Sequence, residues 1–176
     1  MKNIIKTIII GIGVIITICI VSFLVWAFWF VANFHGDTYK SAETYIIQTS
    51  GESLLEKIHQ FKTNNPEYIL IKENRYGEKE IQEDRKDEYR PNFYHVNFYL
   101  QDYDLGISCV LDFSNNSKKS SLGLYVVSEG SRFAKWQRIN NDKEISREKS
   151  QEIKKKFETD ILDKLGVKWR HKRWYE

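Results

Sequence analysis

From Thr7 to Phe34 the chain reads TIIIGIGVIITICIVSFLVWAFWFVANF, 28 residues without a charged side chain or a histidine. A helix needs roughly 20 predominantly apolar residues to cross a hydrocarbon core of ~30 Å. At ~1.5 Å per residue, this run crosses with length to spare. The excess falls at its aromatic end, where Trp26, Trp29 and Phe34 suit the membrane–water interface. The run therefore predicts a transmembrane anchor at 7–34, preceded by a cytoplasmic N-terminus at 1–6.

Two other fates for the run fit less well. A cleaved signal peptide has an apolar core of ~7–15 residues and a small-x-small cleavage site. This run is too long and shows no clean site. Lipidation needs a small residue directly before the modified cysteine, but Ile18 precedes Cys19. Orientation follows from Lys2 and Lys6 before the run, against Lys40 flanked by Asp37 and Glu43 after it. The bias favours the N-terminus inside and the remainder outside. The expected location is the bacterial inner (cytoplasmic) membrane, single-pass, with the following domain periplasmic or extracellular. Inside the run, between its ends, the polar side chains are few, Thr17, Cys19 and Ser22, and none is ionisable in the way of Asp, Glu, Lys, Arg or His, so nothing there marks an ion route.

Composition bounds the rest. The chain of 176 residues carries 27 Lys+Arg against 24 Asp+Glu. Setting aside Lys2 and Lys6 leaves the remainder almost neutral. Of the two cysteines, Cys19 lies in the apolar run, so Cys109 has no disulfide partner after it. The remaining length suits one domain.

Periodicity supplies the elements. His35 to Thr49 reads as a polar connector able to extend the anchor helix, with Tyr45, Ile46 and Ile47 to pack somewhere. The extracytoplasmic domain is expected over 50–166. Ser53 and Glu56 fit a capping box, after which Leu54, Leu55, Ile58 and Phe61 form a helical face that Pro66 ends. Tyr68 to Lys72 reads as a short strand. Glu73 to Arg90 holds seven acidic and five basic residues and reads as an exposed excursion, a loop or a long hairpin end. Tyr94, Val96, Phe98 and Leu100 alternate, as do Leu105 to Phe113 and Leu122, Leu124 and Val126. Such alternation marks half-buried strands. A shorter strand around Trp136 follows. A second helix from Ser146 places Ile153, Phe157, Ile161, Leu162 and Leu165 on one stripe, faces Lys154, Lys155 and Lys156 to water, and ends near Gly166. The expected fold is α+β: an N-terminal transmembrane helix, then a two-layer domain whose four- to five-stranded antiparallel meander is flanked by two helices.

Chemistry is sparse. The four histidines, His35, His59, His95 and His171, stand apart, and no metal, catalytic or cofactor motif occurs. A Cys109–His95 nucleophile pair fails on strand parity, which points the two side chains to opposite faces. Asp102 and Asp104 read as turn formers. The segment 167–176 is distinctive. Lys168, Trp169, Arg170, Lys172, Arg173 and Trp174 mix charge and indole. They are candidates for contact with lipid or a partner, or else for a final strand packed on the domain. The orientation argues against nucleic acid.

These features predict a non-enzymatic, membrane-anchored, protein-binding module without cofactor, metal or catalytic residues. It would serve as a component of an envelope assembly or as an immunity-type protein. The bilayer and a protein would be its partners. The alternative is an envelope ligand-binding sensor or hydrolase with a site between sheet and helices.

Overall fold

The computed structural model describes residues 13, 16–27, 39, 41–73, 76–113, 118–130 and 135–173. The chain divides into two compact units, Met1–Lys40 and Ser41–Glu176. In the first, residues 16–27 are helical (α1), and Ile16, Ile20, Phe23, Leu24 and Trp26 are all exposed. Among the described residues no helix is long and apolar enough to cross a membrane. Most of the expected 7–34 span, including Trp29 and Phe34, lies outside them.

The second unit is an α+β domain in which every strand pairing among the described residues is antiparallel. Its strands are β1 (Glu43–Ile47), β2 (Ile71–Glu73), β3 (Lys79–Ile81), β4 (Arg85–Lys86), β5 (Phe93–Leu100), β6 (Leu105–Asp112), β7 (Ser120–Glu129), β8 (Gln137–Arg138) and β9 (Trp169–His171). The main sheet has seven strands in the order β4-β5-β6-β7-β1-β9, with β8 also on β7, and β2 and β3 form a separate ribbon. The sheet thus exceeds the expected four or five strands. The expected meander survives inside it as β5-β6-β7.

The extra strands are β1 and β9, from the two ends of the domain, and β4, from the charged excursion. Glu43–Ile47, expected in a connector, is an inner strand between β7 and β9. Tyr45, Ile46 and Ile47 are all buried, so the segment is apolar on both faces and shows no alternation. β7 has room for two neighbours on one edge because its first half pairs with β1 and its second half with β8.

Two helices cover one face. Helix α2 (Gly51–Asn64) buries Leu54, Ile58 and Phe61. Its cap is Ser50 rather than Ser53: the Ser50 hydroxyl accepts from the Ser53 N–H at 3.2 Å. Gly51, the first residue of the helix, lies against Phe113, where a Cβ would stand 2.6 Å from the ring. Helix α3 (Arg147–Phe157), capped by Ser146, buries Ile153 and Phe157. It runs on as a π-helical turn, Glu158–Leu162, in which the Asp163 N–H donates to the Glu158 carbonyl. Gly166 then takes φ +64°, the left-handed geometry of a helix end. Phe157 meets Tyr45 and Phe98 at 5.6 and 6.3 Å between ring centroids, joining α3 to both β1 and β5.

β7 departs from the expected alternation. Leu122 and Leu124 are buried as read, but the inward position after them belongs to Val127, and Val126 is half-exposed. Ser108 faces Val126 while Cys109 faces Leu124, leaving Tyr125 as the extra residue of a β-bulge. One extra residue flips the parity of everything beyond it.

Candidate protein-binding surface

The described residues of the charged excursion build an arm from two strand pairings. The Ile69 backbone bridges to Phe98, and the Gln82 N–H donates to the Leu70 carbonyl at 2.9 Å. β2 and β3 pair Ile71 with Ile81, Lys72 with Glu80 and Glu73 with Lys79. β4 then lies on β5, with Arg85 opposite His95.

One ion pair fixes the arm to the core. Lys62 Nζ on α2 reaches both Asp84 carboxylate oxygens, at 2.7 and 2.6 Å. Asp84 also accepts the Asn97 N–H at 2.8 Å, and Asn97 Nδ2 donates to the Glu83 carbonyl. Lys62 and Asp84 are 11% and 9% exposed. Burial holds the Lys62 ammonium below the usual lysine range, against the opposing pull of Asp84. Further along, Asp87 Oδ1 accepts the Tyr89 and Arg90 N–H groups, and Asp87 Oδ2 lies 3.0 Å from His95 Nε2.

The base of the arm is therefore tied down while its outer residues are not covered. Ile71 and Ile81, side by side in the ribbon, are 45% and 62% exposed, and Tyr76 and Tyr89 are 79% and 91% exposed. Glu73 and Lys79 flank the isoleucine pair on the same face. An exposed apolar pair rimmed by opposite charges is the kind of surface that protein interfaces use. Charge density made the excursion visible in the sequence. The exposed isoleucine pair appears only once the register is known.

The tail segment is built differently. β9 pairs with β1, setting Tyr45 opposite His171, Ile46 opposite Arg170 and Ile47 opposite Trp169. Trp169 is half-buried against the core, and its indole N–H donates to Asp163 at 3.0 Å. His171 lies between Glu43 and Glu158, at 3.2 Å from Nδ1 and 3.3 Å from Nε2. Glu158 also accepts the Tyr45 hydroxyl at 3.0 Å, and Glu43 accepts Lys154 at 2.8 Å. Lys154 therefore does not face water as expected, because α3 turns it toward β1. Burial pushes Glu43 up, but Lys154, His171 and Asn140 together outweigh it and hold the carboxyl below its ordinary value. Burial and Glu158 push the Tyr45 phenol well above its ordinary value. Lys168, Lys172 and Arg173 are exposed, whereas Trp174 lies outside the described residues.

The remaining candidates separate. Cys109 is fully buried in the apolar cluster, and burial pushes its thiol up strongly. His95 sits one strand away, opposite Val110 rather than Cys109, so the two are not brought together. Asp104 holds a left-handed turn position at φ 45° and accepts the Tyr99 hydroxyl. Among the described residues no three His, Cys, Asp or Glu are arranged to hold a metal ion. The space between sheet and helices is filled by Tyr45, Phe98, Leu122, Leu124, Phe157 and their neighbours. A cleft of about 600 Å³ lies along α2, lined by Glu52, Leu55, Glu56, His59 and Gln60 among others.

Comparison with known proteins found no matching family model, no matching curated protein and no matching solved structure.

Proposed function

We infer that the chain is a single-pass membrane protein whose 41–176 unit lies outside the cytoplasm and binds another protein. It acts as a component of a bacterial envelope assembly or as an immunity-type protector. The uncharged run 7–34 supports the anchor, and so does helix 16–27, whose apolar side chains are exposed all round. The observation that carries the binding role is the ribbon arm, with Ile71, Ile81, Tyr76 and Tyr89 uncovered on a base held by Lys62 and Asp84. Isolated exposed apolar residues are ordinary, but several on one fastened arm mark an interaction site. The filled space between sheet and helices favours recognition at the surface over a small-molecule site in the interior.

The test is site-specific photo-crosslinking in native membranes, with the crosslinker at Tyr89. The reading predicts one discrete adduct, lost in the Ile71→Ser/Ile81→Ser variant while its melting temperature stays within a few degrees of the parent. Diffuse crosslinking that ignores the isoleucine substitutions would refute it.

A further inference from the structure

We propose that the isoleucine face of the β2–β3 ribbon docks on the same face of a second copy of this chain; this deepens the arm reading above and rests on it. Strand parity sorts the ribbon's side chains. Residues directly opposite in an antiparallel pair share a face, and so do residues two apart along a strand. Ile71, Ile81, Glu73 and Lys79 therefore lie on one face, and Lys72 and Glu80 on the other. Ile71 and Ile81, both exposed, form one row across the ribbon. Glu73 and Lys79 form the next row, where β2 ends and β3 begins.

This face is its own complement. A twofold axis parallel to the strands lays β2 of one copy over β3 of the other. Each Ile71 then meets Ile81 of the second copy, and each Glu73 meets Lys79 of the second copy. The contact covers four isoleucines and closes two ion pairs, with no charge facing its like. An axis running across the strands does neither, because it carries the two charged rows to opposite ends of the contact. Twofold contacts of this self-complementary kind are the commonest among homo-oligomers.

The charges that would close the contact are unused within the chain. Glu73 and Lys79 stand opposite each other in the register, yet neither makes an ion pair among the described residues. Lys62 and Asp84 already fasten the base of the arm, so docking has less ordering to do. The face is small beside a standard interface, which makes the contact a weak one. Its charge pattern then sets which orientation is accepted.

Co-capture of two differently tagged full-length chains from gently solubilised membranes tests this. Parent copies are expected to capture each other. Glu73→Lys sets lysine against lysine across the contact, and Lys79→Glu sets glutamate against glutamate. Each variant should therefore capture itself about tenfold less than the parent does. Mixed together, the two variants rebuild both ion pairs, and capture should return to within about twofold of the parent. A mixture that stays as weak as either variant alone, or single variants that associate like the parent, would overturn the proposal. Parent copies that do not capture each other, while the Tyr89 adduct still forms and is lost on isoleucine substitution, also overturn it but leave the arm reading standing. No discrete adduct at Tyr89 fails the arm reading and this proposal together.

Discussion

Lys62 and Asp84 are 11% and 9% exposed, so neither charge has much water to fall back on. Removing one partner strands the other, and such losses run to ~3–5 kcal/mol, far above an exposed pair. Asp84→Ala should therefore cost about 3 kcal/mol in urea unfolding, since it also orphans the Asn97 N–H. A loss under ~1 kcal/mol would mean that the pair behaves as a surface one. Nothing in the sequence announced this contact. The two residues are separated by 22 positions and lie in segments already crowded with charge. Glu43 gives a pH prediction. Its folded carboxyl sits below the ordinary 4.5. A depressed folded value stabilises the fold above the ordinary range and loses that contribution as pH falls through it. Melting temperature should fall with acid less steeply in Glu43→Gln than in the parent. Equal slopes would show that Lys154 and His171 do not hold the ionised form.

At the scale of elements, the bulge in β7 makes a discriminating pair. Val127 is fully buried and Val126 is half-exposed. Val127→Ala should cost about 2 kcal/mol, from two lost methyl-sized groups plus the cavity they leave. Val126→Ala should cost under ~0.5 kcal/mol. Equal costs, or the reverse order, would mean an unbulged strand, as simple alternation implied. Where an element has one wet face, the sequence displayed it: α2 and α3 carry helical stripes. β5 and β6 were legible because their apolar residues alternate, although Asn97, Gly106 and Val110 on the other face are buried too. Where both faces of an element carry large apolar residues, or the element is only three residues long, no periodic signal exists. That is why β1 passed for a connector and β9 for one alternative reading of a basic tail. The π-turn was hidden for a related reason, because Ile161 and Leu162 are both buried, as a regular helical stripe also allows.

For the molecule as a whole, α+β class and the antiparallel meander were legible because the strands and helices must each hide one face. The candidate arm was legible only as charge. Its apolar centre depends on a register that places Ile71 beside Ile81. The central claim is that residues 7–34 hold a folded 41–176 unit outside the cytoplasm, and thiol labelling tests it most directly. Cys109 is buried, so a Cys19→Ser chain carrying Glu148→Cys, at an exposed α3 position, offers a single accessible thiol. The account predicts that a membrane-impermeant maleimide labels this thiol in bacterial cells whose inner membrane is intact, and that the labelled chain stays with carbonate-washed membranes. Labelling that appears only after the inner membrane is broken, or a chain released by the wash, would contradict it.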